Sequence, residues 1–248
     1  MPKIRQRVGK EIFNIMNKFP FLALVAIMLI ISFGSCETRL QSLEITPSSK
    51  TMYVGETVEV CAYNHDGAIQ WTSTNSFVAA DIFEGSIANP TQIKAKHIGT
   101  TTIQAEVLYG VNKGLIGFCE ITVVPKYNYY NEPIFAWGKS KSYIKSKLGV
   151  PDYQEPNIIA YVVNQTRNIF MYYMFTNDKL TSVVVMADSN KTDNVYNFIE
   201  ERYQPYTGEY NGYWGDALEI EDAQILVDVE LDIVGGGYHT ITYMENYF

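Results

Sequence analysis

Only three cysteines, Cys36, Cys61 and Cys119, occur among the 248 residues. That excludes a small scaffold held by many disulfides. Histidine is equally scarce. His65, His97 and His239 lie in separate segments with no Cys, Asp or Glu at ligand spacing, so neither a zinc site nor a catalytic triad is expected, and they read as surface or turn residues. Cations are in deficit: 19 Lys and Arg stand against 27 Asp and Glu. Long apolar runs are missing too. The one uncharged stretch, Phe19–Ser35, is interrupted by Pro20 and Gly34 and falls short of the roughly 20 apolar residues of a spanning helix.

What precedes that stretch is distinctive. Lys3, Arg5, Arg7, Lys10 and Lys18 face a single acid, Glu11. A basic segment, an apolar segment and small residues before a break are the parts of a secretory leader. Residues 1–35 are therefore expected to be a signal peptide, with Cys36 just beyond it. An uncleaved membrane anchor and plain secretion are the alternatives. Removing 1–35 leaves 14 basic against 26 acidic residues, a net charge of −12, and a chain of 213 residues. Such a balance argues against nucleic acid and against electrostatic attachment to anionic lipid.

From residue 41 to 125 short alternating runs recur about every ten residues. In TVEVCAYN, Val58, Val60 and Ala62 point one way and Thr57, Glu59 and Cys61 the other. Turn residues separate the runs, including Pro47-Ser48-Ser49, Gly55, Asn89-Pro90 and Gly110. Seven short strands imply an antiparallel β-sandwich with Trp71 between the sheets. Cys61 and Cys119, on the second and last strands, are a candidate disulfide, the alternative being two separate thiols.

Residues 126–136 read as a linker, and 16 of the 19 tyrosines follow residue 126. WGKSKSYIKSKLGVP (137–151) is expected to form a short helix, capped by a Ser near 140, with Ile144 and Leu148 on one face and Gly149 and Pro151 as the stop. Three β-runs follow (157–164, 167–176 and 179–187), the last two joined at Asn177-Asp178. A second helix is expected over Thr192–Tyr203, with Val195, Ile199 and Tyr203 on one face. Beyond an irregular 204–216 stretch, 223–234 and 238–245 form a hairpin around Gly235-Gly236-Gly237. Helix, three strands, helix and two or three strands make a pseudo-repeat, an α+β unit over 137–248 with both helices on one face of an antiparallel sheet.

Chemistry is hard to find. DSNKTDN (188–194) has oxygen side chains at calcium-loop positions one, three and five, but Asp193 and Ile199 stand where Gly and Glu are needed, so it reads as a helix cap. The acidic pairs Glu200-Glu201 and Glu219/Glu221 read as solvated charge. No cofactor or metal is expected. Two aromatic clusters, YNYYNEPIFAW (127–137) and YQPYTGEYNGYW (203–214), remain. Tyr129, Tyr130, Tyr210, Tyr213 and Trp214 are candidate binding rings for a glycan or protein, the alternative being that they pack between sheet and linker.

Four resemblances extend this reading. Gly34-Ser35-Cys36 resembles the lipobox of bacterial lipoproteins, with Phe33 where Leu is usual. It implies cleavage before Cys36, acylation of that cysteine, a short tether over 36–40 and an envelope address, the outer membrane being favoured by Glu37. VGET (54–57), WTSTN (71–75), Gly99-Thr100 with Ile103, and ITV (121–123) together resemble the group 2 bacterial immunoglobulin-like domain, which implies an immunoglobulin-like sandwich outside the cytoplasm. SYIKSKLGVP to KLTSVVV resembles the small outer-membrane lipoproteins that accompany the β-barrel assembly machinery, and the two-part design is similar to surface lipoproteins of Bacteroidota. The expected function is a non-enzymatic, lipid-anchored envelope protein in which a spacer carries a recognition domain. The alternative is an accessory subunit of an outer-membrane assembly or uptake complex.

Overall fold

The computed structural model describes residues 42–83, 87–232 and 237–247. The expected leader (1–35), Cys36, the 36–40 tether and the Gly235-Gly236 part of the last turn lie outside the described residues. From Ser42 onward the chain is one compact unit, mostly β-sheet with two short helices. No helix among the described residues is long and apolar enough to cross a membrane.

Eight strands come first: β1 (Glu44–Thr46), β2 (Ser49–Tyr53), β3 (Thr57–Tyr63), β4 (Ile69–Ser73), β5 (Ala79–Asp81), β6 (Thr91–Ala95), β7 (Gly99–Val107) and β8 (Ile116–Val124). They build two four-stranded sheets, β1-β3-β6-β5 and β2-β8-β7-β4. Period-two alternation turns one side of each strand inward, and Val60, Ala62 and Ile93 of one sheet share an apolar cluster with Met52, Ile103 and Ile121 of the other. Trp71 lies within that cluster, and its indole N–H donates to the Ala88 carbonyl at 2.7 Å. A buried Trp needs such a partner for its one polar atom.

Two expectations change here. The run expected as the first strand is two, β1 and β2, because the chain passes from one sheet to the other at Pro47-Ser48. That crossing sets β2 parallel to β8, so the pair of sheets is not wholly antiparallel. The candidate disulfide is also absent: Cys61 and Cys119 are separate thiols. Alternation explains this. Val60 and Ala62 face the core and Cys61 faces away on β3, whereas Cys119 on β8 is buried inside.

The second half forms a single eight-stranded antiparallel sheet, ordered β13-β14-β15-β16-β12-β11-β10-β9. Helix α1 (Lys141–Leu148) is followed by β9 (Tyr153–Glu155), β10 (Ile158–Asn164), β11 (Ile169–Thr176) and β12 (Lys179–Asp188). Helix α2 (Thr192–Glu200) is followed by β13 (Gln204–Pro205), β14 (Tyr213–Gly215), β15 (Ile225–Glu230) and β16 (Tyr238–Glu245). Each half is thus a helix and a four-strand meander, and the halves join where β12 pairs with β16. Asn177 and Asp178 both have positive φ, the geometry of the tight hairpin expected there.

Both helices cover the same face. Ile144 of α1 and Val195, Phe198 and Ile199 of α2 share a core with Tyr173, Val183, Val185, Ile241 and Tyr243 of the sheet. Ser140 caps α1 as expected, accepting from the Tyr143 N–H. Leu148, however, is 41% exposed and leaves Ile144 as the only buried residue of α1. This eight-residue helix meets the sheet through about one turn, and Gly149 ends it before Leu148 can reach the core. Asp188 accepts from the Asn190 N–H, so 188–194 is indeed a cap, though of the short 3-10 turn before α2.

The segment expected as a linker is built into this core. Tyr129 and Tyr130 are buried, and the Tyr130 hydroxyl meets that of Tyr243 at 2.5 Å. Where it leaves β8, Glu201 holds it. The Glu201 carboxylate accepts from the Lys126 and Tyr127 N–H groups at 2.9 Å each, and its carbonyl accepts from the Ile98 N–H at 2.8 Å. Only 4% of Glu201 is exposed, which corrects the reading of Glu200-Glu201 as a solvated pair. Glu200 is exposed, but the helix has ended by Glu201, and the chain turns it under the exit of β8. Arg202 lies beside it, 3.7 Å from the carboxylate, with its guanidinium 3.8 Å above the Phe198 ring.

Glu201→Ala removes an acceptor from two backbone donors and leaves Arg202 without its nearest counter-charge. We expect a loss of about 3–5 kcal/mol, read from urea unfolding. Glu200→Ala, on the exposed side, is expected to stay within about 0.5 kcal/mol of the parent.

Candidate functional site

One core covers one side of the eight-stranded sheet. The other side is open, and its composition is unusual. On β11, Ile169, Met171, Tyr173 and Phe175 point into the helix-covered core, while Phe170, Tyr172 and Met174 point the other way. On β12, Val183 and Val185 point inward and Val184 and Met186 outward. A strand with one solvated face would alternate apolar with polar residues; these strands are apolar on both.

Register places the outward side chains in rows across the strands. One row runs Tyr153, Ala160, Tyr172, Val184, Thr242, Asp228 and Tyr213. A second runs Val162, Phe170, Met186, Thr240 and Glu230. A third begins Glu155, Ile158, Met174 and Ser182, and its far end, Leu226 and Met244, lies under the 206–223 segment, where Tyr206 and Ile220 form a small cluster with Leu226. Every charged residue on these rows is acidic: Glu155, Asp228 and Glu230. Phe170 and Tyr238 stand edge to face at 5.8 Å, and Tyr153, Val162, Met174, Tyr213 and Tyr238 are each more than a third exposed. Strands about 4.8 Å apart make the longest row roughly 29 Å, the apolar part on β9 to β12 roughly 14 Å wide, and three rows make it roughly 20 Å long. The apolar side chains of these rows gather on β9 to β12, and Thr240, Thr242, Asp228 and Glu230 flank them on β16 and β15.

The candidate rings read from the sequence are only partly brought to it. Tyr213 is on the open face, opposite Asp228. Trp214 is the next residue, so it turns to the helix side and packs against Tyr196 at 6.4 Å. Tyr210 packs half-buried beside the 206–223 cluster. Tyr129 and Tyr130 are core residues, so the 127–137 cluster presents no platform of rings there. Apart from Tyr213, the open-face residues are not among the candidates read from the sequence. Their signal was nonetheless there, in the unbroken apolar runs IFMYYMF and VVVM, where simple alternation would have left polar gaps.

One further side chain differs from expectation. His239, read as a surface or turn residue, is fully buried on β16. Its Nδ1 accepts from the Asp232 N–H at 3.1 Å, so Nε2 carries the proton and meets the Thr192 hydroxyl at 3.0 Å. Its role is to tie the start of α2 to the last hairpin. His97 stacks on Phe77 at 4.0 Å, and burial lowers its pKa. Glu219 and Glu221 are exposed, as ordinary solvated charge would be. Among the described residues, no group of three or more His, Cys, Asp and Glu side chains could hold a metal ion.

Comparison with known proteins adds little. No protein-family profile matches the sequence, and no curated protein matches it. A solved structure described as "Crystal Structure of Rst D1-D2" aligns with 82% of this chain and 82% of its own at 14% identity, with a TM-score of 0.24. A superposition that loose leaves the architecture to be argued from the chain itself.

The buried tyrosines make the core sensitive to alkali. Burial raises the pKa of Tyr130, Tyr203 and Tyr243 far above the usual phenol value and pushes Tyr173 and Tyr206 up to about 12. An unfolded Tyr ionises near pH 10. Between the two values the folded chain binds more protons than the unfolded one, so this stability is complete below pH 10 and is lost as pH rises through 12. Absorbance at 295 nm at pH 11 should show these five rings still protonated in the native protein and ionised in urea.

Proposed function

We propose that this chain is a non-enzymatic recognition protein of the cell envelope, anchored by a lipid on Cys36, and that the open face of the eight-stranded sheet is its binding surface. The first eight strands are read as the immunoglobulin-like spacer that sets this surface away from the membrane. The lipobox-like Gly34-Ser35-Cys36, the period-two strands with Trp71 at the centre, and the second sheet support that division. Acyl chains would supply the attachment, since each buried CH₂ contributes roughly 0.8 kcal/mol. Mass spectrometry of the protein isolated from its membrane is expected to find Cys36 N-terminal and acylated; a terminus at Met1 would overturn the anchor.

One observation carries the recognition reading: an apolar, aromatic and methionine-bearing face that no part of the described chain covers along its central rows. Of the two ligand classes suggested by the aromatic residues, the face favours a protein. The face is open rather than concave, and its apolar centre is bordered by polar and acidic side chains, the layout of a protein interface rather than of a small-molecule cleft. Methionines adapt to an uneven partner, and rings supply the large contacts that dominate such interfaces. Glu155, Asp228 and Glu230, with no cation on the same rows, select a partner surface carrying Lys or Arg.

A photo-crosslinking residue in place of Phe170, on the open face, is expected to capture a partner in cells, whereas one in place of Tyr143, on α1, is not. The captured protein should bind the purified chain more weakly as salt rises. Tyr172→Ala should reduce its affinity by more than tenfold with the fold intact by circular dichroism. Capture from Tyr143 alone, or binding unchanged by Tyr172→Ala, would overturn the assignment of the sheet face. If the captured protein is an outer-membrane barrel, the chain is an accessory subunit of an assembly or uptake complex; a soluble or surface protein favours the free-standing receptor.

A further inference from the structure

On the helix-covered side of the molecule, three separately encoded segments meet around a cavity of about 500 Å³, and Tyr129, one of the candidate rings, is among its lining. The segment after β8 brings Lys126, Tyr127 and Asn128. The turn between β10 and β11 brings Arg167. The start of α2 brings Lys191 and Asn194. Lys126, Arg167 and Lys191 are three of the 14 cations in a chain of net charge −12 after the leader, and no carboxylate lines the cavity. Cations in so acidic a chain would be expected to spread among the excess carboxylates. Here they converge, and no ion pair is formed by any of the three among the described residues.

The nearby acids are committed elsewhere or set aside. Asp188, whose carboxyl is held below the usual range first by the Asn190 N–H and in smaller part by the Lys191 charge, also accepts from the Asn168 side chain. The Glu201 carboxylate is occupied by the N–H groups of Lys126 and Tyr127, on the same segment. Asp193 sits in the first turn of α2 without lining the cavity. Arg167 is positioned by a hydrogen bond to the Tyr129 carbonyl at 3.1 Å, which leaves most of its five donors available. Lys126 lies 5.6 Å from the centre of the Tyr127 ring. The N-terminus of α2 has no side-chain cap, so its first N–H groups add a positive field.

We propose that this cavity binds a phosphate monoester, the two charges of the phosphate meeting Arg167 with Lys126 and Lys191, and the Asn128 and Asn194 amides fixing the remaining oxygens. An Arg beside two Lys suits a dianion, because the guanidinium can hold two oxygens at once and the ammonium groups neutralise the rest. The volume exceeds that of the phosphate alone and leaves room for the organic group beside the Tyr127 ring. The site lies on the side of the sheet away from the open face, so it stands or falls independently of the partner surface.

Inorganic phosphate is the probe for the shared chemistry, titrated into the intact purified lipoprotein by calorimetry at constant ionic strength, with chloride and acetate as controls. Saturable phosphate binding is expected, at least tenfold tighter than acetate. It should weaken at least fivefold in Arg167→Gln and again in Arg167→Gln with Lys126→Gln, while thermal unfolding without ligand is unchanged. Glucose 6-phosphate and vesicles of phosphatidic acid separate the two sources of a phosphate monoester: tighter binding of the sugar phosphate assigns a soluble ligand, tighter binding of the vesicles a lipid headgroup. Phosphate binding that does not saturate, or that survives both substitutions, would overturn the proposal.

Discussion

The carboxylate of Glu201 sits where the exit of β8, the end of α2 and the approach to β7 come together. Its oxygens take the N–H groups of Lys126 and Tyr127, and its own carbonyl takes that of Ile98. Burying a carboxylate costs several kcal/mol unless its acceptor capacity is filled and a counter-charge is near. Both conditions are met, the second by Arg202, which also donates to the Phe198 carbonyl at 3.0 Å and lies over the Phe198 ring. Phe198 in turn packs on Tyr130 at 4.0 Å, and Tyr130 is hydrogen-bonded to Tyr243 at the centre of the sheet. A single charged knot therefore fixes the aromatic core, the path of the connecting segment and the position of α2. The start of the segment that brings Lys126 and Tyr127 to the cationic cavity is held by it.

Two helix-and-meander halves meeting at β12 and β16 put both helices on one side and leave the other bare. In a sheet of four strands the bare side would be small. Joined edge to edge, the halves give a continuous bare side, apolar on β9 to β12 and polar on β16 and β15. The 206–223 segment closes one corner, where the Tyr206 ring lies so near Gly215 that a side chain there would collide with it. The central rows stay clear.

Charge follows the same division. The rows of the open face carry only carboxylates, whereas the helix side carries Lys141, Lys145 and Lys147 on α1 and the Lys126, Arg167 and Lys191 cavity. A chain of strongly negative net charge can thus offer one acidic apolar surface and one cationic pocket without the two fields cancelling, since solvent ions screen charges separated by more than about 8 Å. Net charge alone describes neither surface.

Alternation along Thr57–Tyr63, the Ser140 cap, the Asn177-Asp178 turn and the helix–strand order of the second half could be read directly, because each depends on residues within a few positions of one another. The same alternation, followed from Val60 to Cys61, already turned Cys61 away from the core and so from Cys119. Contacts between distant segments were not legible. Glu201 looks like a helix-surface acid until α2 ends at Glu200, three residues before the expected Tyr203; Tyr129 and Tyr130 look like linker rings until the segment enters the core; and His239 looks like a turn residue until β16 lies against the start of α2. The sequence by itself determined the strands, the helices and the charge, since these arise from local periodicity and composition. Only the tertiary structure decided which apolar side of β11 and β12 would be covered, and which three cations would meet, because strand pairing across the sheet and the path of the connecting segment depend on contacts between residues more than a hundred positions apart, such as Tyr130 and Tyr243.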